Sequence, residues 1–174
     1  MTVKYSRPQM LFHWLTVLLL AVAYATIEFR DLAEKGTWQR NAMMVTHFSA
    51  GFCVLVIMAT RLYLRTRHRT PPIQPAVAHW QTGLSHLVHT LLYALFVVLP
   101  ILGLTSRYLR GKAWSLFGIA MPVATAPDPA TAAMLIDWHE TLAPLGYWLI
   151  GLHAVAALFH HYWLRDNTLR RMVP

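Results

Sequence analysis

The sequence predicts an all-α integral membrane protein, a four-helix bundle formed by a single domain over residues 1–174. Three observations predict it. Hydrophobic residues make up 56% of the chain and charged residues 13%, where a soluble domain carries about a quarter charged residues. Mean hydropathy is +0.41. The apolar residues also gather into four runs, 10–27, 43–64, 83–105 and 138–164, each close to the roughly 20 residues a helix needs to cross a bilayer.

The first run follows Lys4 and Arg7 and ends in the small-x-small triplet Ala23-Tyr24-Ala25, features shared with secretory signals. It is read as a mature spanning helix. The second contains Cys53, the single cysteine, so the chain forms no internal disulfide or cysteine cluster, and the thiol is read as a small core group. After it, Thr70-Pro71-Pro72-Ile73-Gln74-Pro75 reads as a stiff, extended linker. The third and fourth runs are separated by about thirty residues, 106–137, containing Pro122, Pro127, Pro129 and an Ala-rich stretch. That connection has room for a short interfacial helix. Trp14, Trp38, Trp80, Trp114, Trp138 and Trp163 fall near helix ends or loops, as an aromatic belt requires, and only Trp148 lies deep in a span.

A net charge of +8 raises the question of nucleic acid, but the basic residues lie in connections between apolar spans, not on a basic surface. Nucleic-acid binding is excluded on that ground. Lys4, Arg7, Arg61, Arg65, Arg67, Arg69, Arg165, Arg170 and Arg171 are assigned to one side, nine in all, against six on the other: Arg30, Lys35, Arg40, Arg107, Arg110 and Lys112. The positive-inside rule then puts both termini in the cytoplasm.

The histidines carry the functional signal. Of ten in the chain, His13, His47, His86, His89, His139, His153, His160 and His161 fall within apolar spans. Ionisable groups there are costly and usually functional. Neutral imidazole is a common iron ligand, and haem has two axial positions that two helices can fill from opposite sides. His139 and His153 are 14 residues apart, which returns a helix to within roughly 40° of the same face about 21 Å further on. One helix can therefore serve two stacked haems. Gly146 lies midway on that face, where two macrocycles would press against the backbone, and Gly51 would likewise admit a haem edge beside His47.

Partners must come from matching depths. His47, about one turn inside the periplasmic start of the second helix, matches His139 at the periplasmic start of the fourth. His13 matches His153 near the cytoplasmic side. His86 or His89 could replace His13, since the third helix brings them to a similar depth. His160, about 10 Å below His153 by helical rise, is too near for a third haem and could bond a haem propionate or a quinone oxygen. His68, His79 and His161 read as solvated. The rival reading is a histidine-lined proton or metal transporter without haem, which four imidazoles at mutually consistent depths disfavour.

The segments Trp138-His139-Glu140-Thr141-Leu142-Ala143, Gly151-Leu152-His153-Ala154, His160-His161-Tyr162 and Asp166-Asn167-Thr168-Leu169 with Arg171-Met172 resemble the bacterial cytochrome b561 family. So do Tyr5-Ser6-Arg7, His13-Trp14 and Glu28-Phe29-Arg30. The resemblance covers essentially the whole chain. It implies a four-helix, two-haem, quinone-reactive transmembrane cytochrome b of the bacterial inner membrane, with one ligand from each of the first two helices and two from the fourth. Those positions fall on His13, His47, His139 and His153. The resemblance is in particular to the superoxide oxidase type, which passes electrons from periplasmic superoxide to membrane ubiquinone. Arg30, Arg107, Arg110 and Lys112 would then draw in an anion, or else pair with haem propionates or lipid headgroups. His89 and His160 are candidates for quinone contact or proton transfer. An alternative is a membrane-anchor cytochrome that only relays electrons from a partner dehydrogenase.

Overall fold

The computed structural model describes residues 4–173. The chain runs α1 (Arg7–Glu28), a 3-10 turn (Phe29–Leu32), α2 (Trp38–Arg67), α3 (His79–Leu109), a hairpin of β1 (Ser115–Leu116) and β2 (Ile119–Ala120), and α4 (Pro129–Tyr162). All four helices are long and apolar enough to cross a membrane.

Each helix is longer than its apolar run, because capping residues decide where it starts. Gln9 Oε1 accepts from the Ser6 N–H (3.2 Å) at the start of α1, and Gln81 Oε1 does the same for Ala78 N–H (3.0 Å) at the start of α3. Thr37 caps α2 and Asp128 caps α4, the latter accepting from Thr131 N–H at 3.0 Å with Pro129 opening the helix. The start of α4 thus moves nine residues ahead of its apolar run. Its 34 residues span about 51 Å, so α4 projects beyond a hydrocarbon layer of about 30 Å.

Two sequence expectations change accordingly. Arg61, Arg65 and Arg67 belong to α2, not to a connection, and Arg107 belongs to α3. The segment expected to hold an interfacial helix holds the antiparallel hairpin instead, with Ser115 opposite Ala120. Its two-residue turn needs positive φ twice, supplied by Phe117 (52°) and Gly118 (81°). Ser49 of α2 anchors it by accepting from the Phe117 N–H at 2.8 Å.

Packing follows chain order: α1 on α2, α2 on α3, α3 on α4. The core lies at mid-bundle, where Val54 and Met58 of α2 meet Leu95, Phe96 and Leu99 of α3. Among the described residues no Cα of α4 comes within 8 Å of α1 or α2. Side chains bridge this side: Tyr24 donates to the Ala143 carbonyl (2.8 Å), and Tyr147 donates to Glu28 (2.6 Å).

At the face carrying both chain ends, the linker and tail are knitted together. Asn167 exchanges hydrogen bonds with the Gln74 backbone, Arg171 donates to the Pro71 carbonyl, and Tyr5 N–H donates to the Arg171 carbonyl. Trp14 Nε1 donates to the Met172 carbonyl at 2.9 Å.

Candidate functional site

Four of the histidines face one another in two pairs across the loosely packed side. His47 of α2 and His139 of α4 have ring centres 6.2 Å apart with planes at 80°. His13 of α1 and His153 of α4 are also 6.2 Å apart, at 65°. Two metal–nitrogen bonds of about 2 Å, with about 1.1 Å from each nitrogen to its ring centre, require roughly 6.2 Å across an iron held by trans imidazoles. Both pairs meet that requirement. Among the described residues no cluster of three or more His, Cys, Asp or Glu forms a conventional metal site.

The outer pair, on the hairpin side, is also oriented for ligation. His47 Nδ1 lies 2.9 Å from the Ala23 carbonyl and His139 Nδ1 lies 2.8 Å from the Leu99 carbonyl. A carbonyl only accepts, so each Nδ1 carries the proton and each Nε2 keeps a free lone pair. This is how a metal-binding histidine is held: one nitrogen is fixed by a backbone acceptor and the other is left for the metal. Gly103 makes room for the His139 ring, since a Cβ there would sit 3.2 Å from its Cε1 and Nδ1. The helix ends, extended by their caps, put His47 nine residues and His139 ten residues inside α2 and α4, about 14 and 15 Å. Both lie further from their helix starts than the apolar runs suggested, by five and nine residues, and the two end at nearly the same distance inside.

The inner cluster has three rings. His89 lies 5.1 Å from His153, too close for an iron between trans imidazoles, and its Nδ1 donates to the Ser85 carbonyl at 2.6 Å. The sequence left His13, His86 and His89 as alternatives. The spacing favours His13, and His86 is exposed on α3. Arg61 Nη2 donates to His13 Nδ1 at 3.2 Å, a contact that sequence reading missed. The signal was present: Arg61 is an ionisable residue inside the second apolar run.

The two glycines singled out in the sequence have other neighbours. A Cβ on Gly51 would face Pro100 of α3 at an ordinary 4.0 Å, and one on Gly146 would collide with the Tyr24 hydroxyl and lie 3.4 Å from Phe96. Tyr24 and Phe96 therefore fill the level between the two histidine pairs.

Of the basic candidates, Arg107 lies over the Phe48 ring (4.9 Å), and that ring packs edge-on against His47 (6.1 Å). Among the described residues Nε of Arg107 and Nε of Arg30 are buried without a hydrogen-bond partner, Arg30 Nε lying 3.7 Å from the Asp31 carboxylate. Arg40 is bound to Asp31 at 2.8 Å and to the Arg30 and Ala33 carbonyls. Arg110 and Lys112 are exposed near the hairpin.

His160 Nδ1 bonds the Asp166 carboxylate at 2.6 Å, and Asp166 also accepts from the Thr168 N–H at 2.8 Å. Burial alone would raise the Asp166 pKa. The hydrogen bonds from His160 and Thr168 outweigh it and hold the carboxyl below its ordinary value. Fixing Nδ1 leaves the other His160 nitrogen available to a ligand.

The sequence profile of the prokaryotic cytochrome b561 family matches residues 4–174. A Yersinia pestis protein named probable superoxide oxidase CybB is 44% identical over 98% of this chain and 96% of its own length. Cytochrome b561 homolog 1 of Escherichia coli strain K12 is 40% identical, covering 98% of this chain and 97% of its own. Cytochrome b561 homolog 2 of the same organism is 27% identical, covering 93% and 87%.

Proposed function

This chain belongs to the prokaryotic cytochrome b561 family, and from that premise we propose that it is a superoxide:ubiquinone oxidoreductase holding two haem b groups. As a family member it is a bacterial multi-pass membrane cytochrome of b type, acting in electron transfer as an oxidoreductase. The observation that carries the two-haem reading is the equal 6.2 Å separation of the two imidazole pairs. In this reading His47 and His139 hold the outer group, and His13 and His153 the inner one. Haem b, when bound, supplies a one-electron redox couple.

The residues of the chain do the rest. The Ala23 and Leu99 carbonyls fix the tautomers of the outer ligands. Arg107, whose buried Nε has no hydrogen-bond partner among the described residues, together with Arg30 and exposed Arg110 and Lys112, attracts the superoxide anion toward His47. Each superoxide oxidised to dioxygen yields one electron, and two electrons with two protons convert ubiquinone to quinol. His160, oriented by Asp166, and His89 stand near the inner pair as contacts for the quinone or as proton donors. Both termini lie in the cytoplasm in this orientation, within the bacterial inner membrane, so superoxide is taken from the periplasmic side.

The test is a haem count on the purified chain and its variants. Two haems are expected in the parent, one in His47→Ala and one in His13→Ala, and two in His89→Ala. A colourless parent, or loss of the inner haem in His89→Ala, overturns the assignment. The donor is tested by supplying superoxide and a soluble ubiquinone analogue. Quinol formation supports the reading, whereas its absence in a fully haem-loaded protein leaves an electron carrier for a partner dehydrogenase.

A further inference from the structure

Arg61 lies six residues before the end of α2, about 9 Å inside it, and its side chain turns into the bundle. Nη1 donates to Thr16 Oγ1 at 3.1 Å, Nη2 donates to His13 Nδ1 at 3.2 Å, and the guanidinium carbon stands 5.3 Å from the centre of the Tyr93 ring. Among the described residues no carboxylate comes within 4.0 Å of it. A permanent charge is thus held in a low-dielectric region by a hydroxyl, an imidazole and a ring face, none of which is an anion. Such a group is costly unless it has an anionic partner.

The bond to His13 cannot survive ligation. A guanidinium only donates, so a neutral His13 that accepts at Nδ1 carries its single proton on Nε2. A histidine that binds iron through Nε2 carries that proton on Nδ1, and two donors would then face each other. Of the imidazoles ascribed to ligation, His47 and His139 already hold the ligating tautomer, whereas His13 is bound to a competing donor. Were His13 to ligate through Nε2, Arg61 would be left a buried cation without its imidazole acceptor.

Resting on the assignment of His13 and His153 as inner ligands, we propose that Arg61 is the binding residue for a carboxylate of the inner haem. The propionates that haem carries match a guanidinium in charge and in planar, two-point geometry. Thr16 and the Tyr93 ring keep the side chain directed inward during the exchange. Ferric iron bears one more positive charge than ferrous iron, so a cation paired at this position disfavours the ferric state. Removing the cation leaves the haem carboxylate uncompensated and lowers the midpoint potential of that haem.

The test is a redox titration of the purified full-length holoprotein, followed by visible absorbance, for the parent, Arg61→Gln, Arg61→Lys and His13→Ala. One of the two redox components is expected to move to lower potential in Arg61→Gln and to recover most of the shift in Arg61→Lys, with the other unchanged. The component that moves is the one absent from His13→Ala. If Arg61→Gln purifies without the inner haem, haem content becomes the readout: retention in Arg61→Lys supports the proposal, and loss from both variants overturns it. An unchanged or raised potential, or an equal shift of both components, also overturns it. A His13→Ala protein that keeps both haems instead overturns the ligand assignment underneath, a failure separable from that of Arg61 itself.

Discussion

Two backbone carbonyls, Ala23 O and Leu99 O, prepare the outer imidazoles, and each comes from a helix that supplies neither ring of that pair. The His139 ring is further confined by Gly103. A Cβ at 3.2 Å is tight but tolerable, whereas a longer side chain must displace the ring. Gly103→Leu is therefore expected to lose the outer haem while keeping the inner one, and Gly103→Ala to keep both with reduced occupancy of the outer, as measured by haem content per chain. The four ligand candidates were readable in the sequence because helical rise and the 14-residue interval give depth and face directly. The choice between His13 and His89 was not, since both lie at one depth and only the angular placement of α1 and α3 around α4 separates 6.2 from 5.1 Å. Gly146 meets the same limit: a glycine shows that something comes close, here the Tyr24 hydroxyl, and a sequence does not say what.

At the scale of elements, apolar runs located the helices but not their ends. A hydropathy reading sees the hydrocarbon layer, and the caps at Thr37 and Asp128 lie beyond it. The hairpin escaped notice because its turn is Phe117-Gly118 and not one of the Asn-Gly or Asp-Gly pairs that announce such turns. The tail segment, recognised only as a family motif, turns out to be a structural clasp centred on buried Asp166. Its carboxyl is held below the ordinary value, so the ionised form stabilises the fold. That contribution is complete above the unfolded-state pKa of about 3.9 and disappears as pH falls through the lower folded-state value. Asp166→Asn is expected to cost about 1–3 kcal/mol at neutral pH. Its melting temperature should fall less than the parent's below about pH 4, as thermal scans at neutral and acid pH would show.

For the molecule as a whole, the bundle is two tight hairpins, α1–α2 and α3–α4, joined through α2 and α3 and spread apart between α1 and α4. With Arg61 counted as interior, the terminal face keeps eight Lys and Arg against six on the hairpin side. The bias still favours the proposed orientation, with both ends in the cytoplasm. A fluorescent protein fused after residue 174 should be bright in intact cells, and alkaline phosphatase fused at the same point inactive. The opposite outcome would reverse the proposed direction of electron flow. The order of synthesis adds a constraint. Since α4 contributes a ring to each pair, neither proposed binding position would exist until that helix has left the ribosome. On the proposed ligand assignment, cofactor loading follows translation, and a chain halted before Pro129 should emerge from the membrane without colour, whatever the supply of haem.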